Sequence, residues 1–371
     1  MRQTATNLLT VAALLAGCTP ADRTVPGGDS AQVERAGATE NLPPALPHWD
    51  FSPDMLFPAD QSLNRSEDGV ALADGRLIVT DQIDGLRLVE SDGSSRPFGT
   101  FAEAGYVHNP PEVEGCANGV TLDSAGTHIL VADVFRGGIY RVEIATEATE
   151  QVYQHPFGVN MARGDTQGGI WFTQSTENRG EDGEAGLFAS VNVPVPDGAI
   201  YYLPPSEAGG ERQAVQLVDG LNFTNGLALD ETGGYLYAAE TLASKVWRFR
   251  MDVAAGTLTE QTVAFEVNHP DNLEFDGHGR LWIASPLRNE IVVFDPATQT
   301  SESVFRISTP HSEALLETIE ARISKGEPWL DLMTPALWEP GPGLLTGMIL
   351  SPNDGPVYLS GLNKALIRLD R

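Results

Sequence analysis

Apolar and polar residues alternate in short bursts along this chain, and one phrase keeps returning. An acidic or amide residue stands beside a small one, and an alternating run follows. A turn with Gly or Asp comes next, and a second alternating run completes the unit. Copies start at Gly69, Gly119, Val159, Gly226 and Leu273, with a degenerate sixth from Gly355. Alternation with period two predicts strands, and the tight turns predict hairpins. Further strands are predicted from Gly138, Ala199, Lys245, Glu290 and Ala365. Six such units in succession predict an all-β fold, a six-bladed β-propeller. A β-sandwich would leave the repeated phrase unexplained.

Two stretches break the pattern. Leu315, Leu316, Ile319 and Ile323 are spaced as one face of a helix. Thr309 suits its cap, Pro310 its first turn and Gly326 its end, so one helical insertion is predicted between blades five and six. The polar, Gly-rich stretch 176–196 predicts a loop near the channel mouth.

The globular domain is expected over 49–371. Residues 19–48 are rich in Pro, Gly, Ser, Ala and charge, which predicts a flexible linker. Before it, Arg2 precedes a short apolar run from Leu8 to Ala16, too short to span a bilayer. The run ends in Leu15-Ala16-Gly17-Cys18, which resembles a bacterial lipoprotein cleavage box. That resemblance implies a signal peptide over 1–18, a lipid on Cys18, and a membrane anchor in the bacterial cell envelope, on its periplasmic or outer-membrane side. Cys116 is then left without a disulfide partner.

Charge narrows the choice of partners. The 371 residues carry 51 acidic and 23 basic side chains, a net −28. Nucleic-acid binding is excluded on that ground, because little would neutralise phosphates.

A propeller brings the start of each repeat to one end of its central channel. Glu67, Asn118, Asn160, Asn225 and the pair Asp271-Asn272 stand at those starts. No Lys or Arg opens a repeat, so the carboxylates lack a paired cation there. Carboxylate and amide oxygens suit a hard dication such as calcium, and the absence of His and Cys argues against zinc or copper. Asn118, Thr224 and His269 are candidates for substrate contact beside this ring.

The stretch from Leu221-Asn-Phe-Thr-Asn-Gly through Tyr235-Leu-Tyr-Ala-Ala-Glu to Asp271-Asn-Leu-Glu-Phe-Asp resembles the senescence-marker-protein-30, gluconolactonase and paraoxonase superfamily. Ser66-Glu67-Asp68 and Asn363-Lys-Ala-Leu-Ile-Arg-Leu resemble it too, and the likeness extends over residues 60–371. It implies a calcium-dependent hydrolase of lactones or related esters, with Glu67, Asn160, Asn225, Asp271 and Asn272 holding the metal. Asp271 is then the first candidate for base or nucleophile, with Glu67 as a second catalytic carboxylate. Paraoxonases carry His at two places where this chain has Asn118 and Val134, so the metal itself must do more here. The motif His269-Pro270-Asp271-Asn272 also resembles strictosidine-synthase-like proteins. Two alternatives therefore stay open: a metal-free enzyme of that kind, and a propeller that binds a ligand without catalysis.

Overall fold

A computed structural model describes residues 44–205 and 212–371. The signal segment, Cys18 and most of the linker lie outside the described residues. Residues from Ala45 to Arg371 form one compact unit.

That unit is a six-bladed β-propeller, built as six four-stranded antiparallel sheets. The inner strands of blades one to six are Gly69–Ala71, Ala117–Leu122, Met161–Gly164, Thr224–Asp230, Leu273–Phe275 and Leu345–Leu350. Second strands such as Leu77–Asp81, Ile170–Gln174 and Leu281–Ser285 are buried along their whole length, between neighbouring blades. Outer strands such as Thr257–Glu266 are mostly exposed. Burial is thus greatest in the second strands and least in the outer ones, with inner strands such as Gly69–Ala71 and Leu273–Phe275 between, and the apolar clusters fill the gaps between blades. One holds Leu88, Val120, Ile129 and Val142 of blades one and two, and another holds Ile291, Val293, Met348 and Leu359 of blades five and six.

The ring closes where the two ends of the domain meet. Leu56–Phe57 pairs antiparallel with Leu366–Leu369 and supplies the outer strand of blade six. Trp49 reinforces this side by donating from its indole to the Asp370 carbonyl at 2.9 Å.

The sixth repeat differs from its predicted form. The run from Gly355 is the second strand of blade six, Val357–Gly361, and the inner strand is Leu345–Leu350. Its opening, Leu345-Thr-Gly, takes the same place as Asn118-Gly and Asn225-Gly. Register shifts fall at all three, between Ala117 and Val120, between Thr224 and Leu227, and between Leu345 and Gly347. Such bulges re-aim a side chain at the end of a strand.

The helix predicted between blades five and six is present as α2, Pro310–Ile323. Thr309 caps it in a reciprocal box with Ser312, Pro310 opens its first turn, and Leu316 and Ile319 are buried. The predicted loop over 176–196 is different: it contains a second helix, α1, Gly183–Asn192. Gly183 and Gly186 make it a poor helix by propensity, so packing supplies its stability. Leu187 packs with Phe135 and Phe223, and the Glu184 amide donates to Glu114 at 2.9 Å.

Near the axis the inner strands approach so closely that a β-carbon has no room. A β-carbon on Gly226 would sit 2.6 Å from Asn272 Cα and 2.7 Å from the Asp271 carbonyl oxygen. Both are backbone atoms that cannot swing aside. Gly226→Ala is therefore expected to destabilise the fold by about 1–3 kcal/mol, the usual cost of overpacking. Gly277→Ala meets nothing within 4 Å and serves as its neutral control. Urea denaturation of the two variants beside the parent checks the contrast.

Candidate metal and substrate site

One opening residue from each blade converges on the channel mouth. Glu67, Asn118, Asn160, Asn225, Asp271 and Thr346 all line a single cavity of about 100 Å³. Thr346 completes the ring; the sixth copy predicted from Gly355 starts one strand beyond it. Asn272 and Thr224 sit behind the wall and are buried. Asn272 still touches the ring, donating from Nδ2 to Glu67 Oε1 at 3.1 Å. His269 lines the cavity.

The amides are oriented so that their oxygens are left over. Asn160 Nδ2 donates to Ser175 Oγ at 3.0 Å, and Asn225 Nδ2 donates to Thr241 Oγ1 at 3.1 Å. With the Asn272 bond to Glu67, all three NH₂ groups are engaged. Asn160 Oδ1, Asn225 Oδ1, Asn272 Oδ1 and Glu67 Oε2 are buried and have no hydrogen-bond partner. A buried oxygen without a donor costs about 1–3 kcal/mol. Four of them, all on predicted ligands, are what an oxygen-coordinated dication would satisfy. The donor set fits calcium on this ground. Among the described residues no cluster of three or more His, Cys, Asp or Glu side chains has metal-binding geometry, so the fit rests on the amide oxygens as much as on the carboxylates.

Electrostatics point the same way. Burial, then the charge of Asp271, pushes the Glu67 carboxyl up to about 8. Burial, then the charge of Asp68, pushes Asp271 up to about 8. Asp68 is also raised, by burial and by Glu67. It is not part of the cavity lining; it accepts from the Val120 amide at 2.8 Å and ties blade one to blade two. His269 is pushed down to about 4 by burial and is neutral near pH 7. Its Nδ1 lies 2.8 Å from Asn268 Oδ1.

A cation does stand beside the ring, although none opens a repeat. Arg65 lines the cavity two residues before Glu67. Its φ of 56° is left-handed, and its guanidinium lies 5.6 Å from the centre of the Phe135 ring. No sequence signal marked it, because it precedes the repeated phrase.

Above the ring the walls turn apolar. Leu187, Phe188 and Val191 come from α1, and Trp329 and Met333 come from the segment after α2. The two pieces are tied together. Asn192 Oδ1 accepts from the Trp329 and Leu330 amides at 2.7 and 3.0 Å, and the Trp329 indole donates to the Val191 carbonyl at 2.9 Å. Helix α2 contributes no wall itself. It buttresses this roof by packing Leu316 and Ile319 with Trp329 and Leu337.

The family model described as SMP-30/Gluconolactonase/LRE-like region matches residues 148–314, from the end of blade two to the start of α2. No curated protein sequence matches the chain. Among solved structures, it is similar to a gluconolactonase from Xanthomonas campestris at 18% identity, with a TM-score of 0.55, over 83% of this chain and 87% of that one. It is also similar to a luciferin-regenerating enzyme at 13% identity, with a TM-score of 0.51, over 81% of this chain and 85% of that one. At such identities the likeness is one of fold.

Because Glu67 and Asp271 are raised to about 8, their protonated forms stabilise the metal-free protein at low pH. That contribution is complete below about pH 4 and is lost as pH rises through about 8. The melting temperature of the chelated protein is therefore expected to fall between about pH 5 and pH 8. A dication held by the ionised carboxylates would raise it more at the upper end, and calcium is the one to test. Glu67→Gln should flatten the pH dependence. Thermal scans at both ends, with calcium and with chelator, check the sign.

Proposed function

We propose that this protein is a calcium-dependent hydrolase of lactones or related esters. The carrying observation is the set of four buried, unpartnered oxygens around a cavity that also holds two raised carboxyls. The match to the SMP-30/Gluconolactonase/LRE-like region supports the substrate class.

Glu67, Asn160, Asn225, Asp271 and Asn272 would hold the cation. A cation held there polarises a substrate carbonyl and stabilises the negative charge that grows on its oxygen as water adds. The rest falls to side chains. Asp271 lines the cavity and, ionised, takes the proton of the attacking water. When the carbonyl–alkoxy bond breaks, that proton goes to the departing oxygen, which in a lactone stays on the same molecule as a hydroxyl. Asn118 and His269, both on the wall, would orient the substrate. Thr224, also a candidate for substrate contact, lies buried behind the wall. The apolar roof keeps bulk water out and so strengthens every charge interaction below it.

Hydrolysis of a small lactone and an aryl ester is expected with calcium and is lost with a chelator. Asp271→Asn is expected to lower kcat/KM by at least about a hundredfold, as loss of a general base does. Turnover that survives chelation would overturn the metal reading. Calcium binding without turnover of any ester would favour a ligand-binding propeller.

The lipid anchor at Cys18 belongs to this proposal and rests on the sequence alone. Expressed in a bacterium with its leader, the protein should fractionate with membranes, and Cys18→Ser should release it to the soluble fraction.

A further inference from the structure

The cavity combines two properties that its metal ring does not require. Its upper wall, including Leu187, Phe188, Phe223, Leu287, Trp329 and Met333, is apolar, and Arg65 is its one Lys or Arg. The Arg65 side chain is only 12% exposed. Its ion pair among the described residues is a long one, 3.4 Å from Nη1 to Glu184 Oε1 on α1, and Glu184 is half in solvent. The Arg65 Nε is buried without a partner. Phe135 supports the guanidinium by a cation–π contact. A largely buried guanidinium on a cavity wall, supported by an aromatic ring and held only by one long, half-exposed ion pair, is a recognition group for a planar anion.

The polar hydroxyls of a sugar acid would find few partners against this roof, and each hydroxyl buried without one costs binding energy. An aliphatic body fits the wall, and a carboxylate fits Arg65. We infer that the cavity selects small molecules with an apolar body and one carboxylate, and that Arg65 is the residue that selects the anion. Two sources share this chemistry: a carboxylate carried by the substrate, and the carboxylate released when an apolar lactone or ester opens. The inference takes the cavity as the substrate pocket, as the hydrolase reading does. Its test measures binding without turnover, so the two fail separately.

The probes are pentanoate, its uncharged counterpart pentanamide, and glycerate, a polar carboxylate of equal heavy-atom count. Calorimetric titration of the unaltered protein, with calcium and with chelator, is expected to show pentanoate binding at least about tenfold tighter than either of the others. Arg65→Met should erase the preference for pentanoate over pentanamide, and Arg65→Lys should restore part of it. Glu184→Gln removes the ion pair but keeps the guanidinium, and should leave pentanoate affinity unchanged or tighter. Equal binding of pentanamide would overturn the role of Arg65, and equal binding of glycerate would overturn the apolar selection. No binding by any probe would overturn both. The comparison of probes on the unaltered protein needs no variant to fold. Pentanoate binding that needs calcium and survives Arg65→Met would assign the anion to the metal instead. To separate the sources, esterase rates are compared for pentanoate esters with and without a remote carboxylate. A faster rate with the carboxylate, lost in Arg65→Met, identifies the substrate's own anion. Equal rates with competitive inhibition by pentanoate identify the product's.

Discussion

Crowding at the axis governs this molecule. Six inner strands can start side by side around one channel only if their backbones nearly touch, and the glycines after Asn118 and Asn225 permit that approach. The neighbouring chains then bond directly: the Gly119 amide donates to the Asn160 carbonyl at 3.0 Å, and the Asn272 amide to the Thr346 carbonyl at 3.0 Å. Thr346 and Ser360 both donate from their hydroxyls to the Glu67 carbonyl, at 3.0 and 2.8 Å. With the backbone of each opening fixed by its neighbours, the side chains have little freedom. They are held toward the channel, which is the preorganisation that a metal or an oxyanion needs.

The same crowding creates the electrostatic tension of the site. Carboxyls and amide oxygens are forced together where water is scarce, and the hydroxyls of Ser175 and Thr241 satisfy the amide nitrogens rather than the oxygens. The structure therefore presents lone pairs inward and donors outward. Arg65 offsets part of the negative charge without contacting either carboxylate, since its ion pair is with Glu184. Positive charge at the ring is thus left incomplete, and the unpartnered oxygens mark where more is wanted.

Much of this was legible in the sequence because a propeller repeats. Alternation, Gly-containing turns and an oxygen-bearing residue at each start recur at a spacing that only a closed array explains, and Glu67, Asn160, Asn225 and Asp271 came with that pattern. The sequence is silent where a residue acts through tertiary placement. Arg65 lies outside the repeated phrase and owes its role to a left-handed backbone and to Phe135, which sits far along the chain. Thr346-Gly347 did carry the signal, since it copies the Asn-Gly openings. A Thr does not stand out among carboxylates and amides, and the copy predicted from Gly355 starts one strand beyond it. Helix α1 was unreadable because Gly183 and Gly186 argue for a loop, and only the contacts of Leu187 and Val191 make it helical.

The closure of blade six has a bearing on how the chain reaches its native state. Leu56 pairs with Ile367, so the first strand of the domain waits for the last. Loop-closure entropy must be met before that pairing rewards it, which makes such topologies slow to fold. A chain emerging from its N-terminus can stack blades one to five and still hold an unpaired strand. The ring, and with it the assembled circle of oxygens, becomes possible only when the final residues are free.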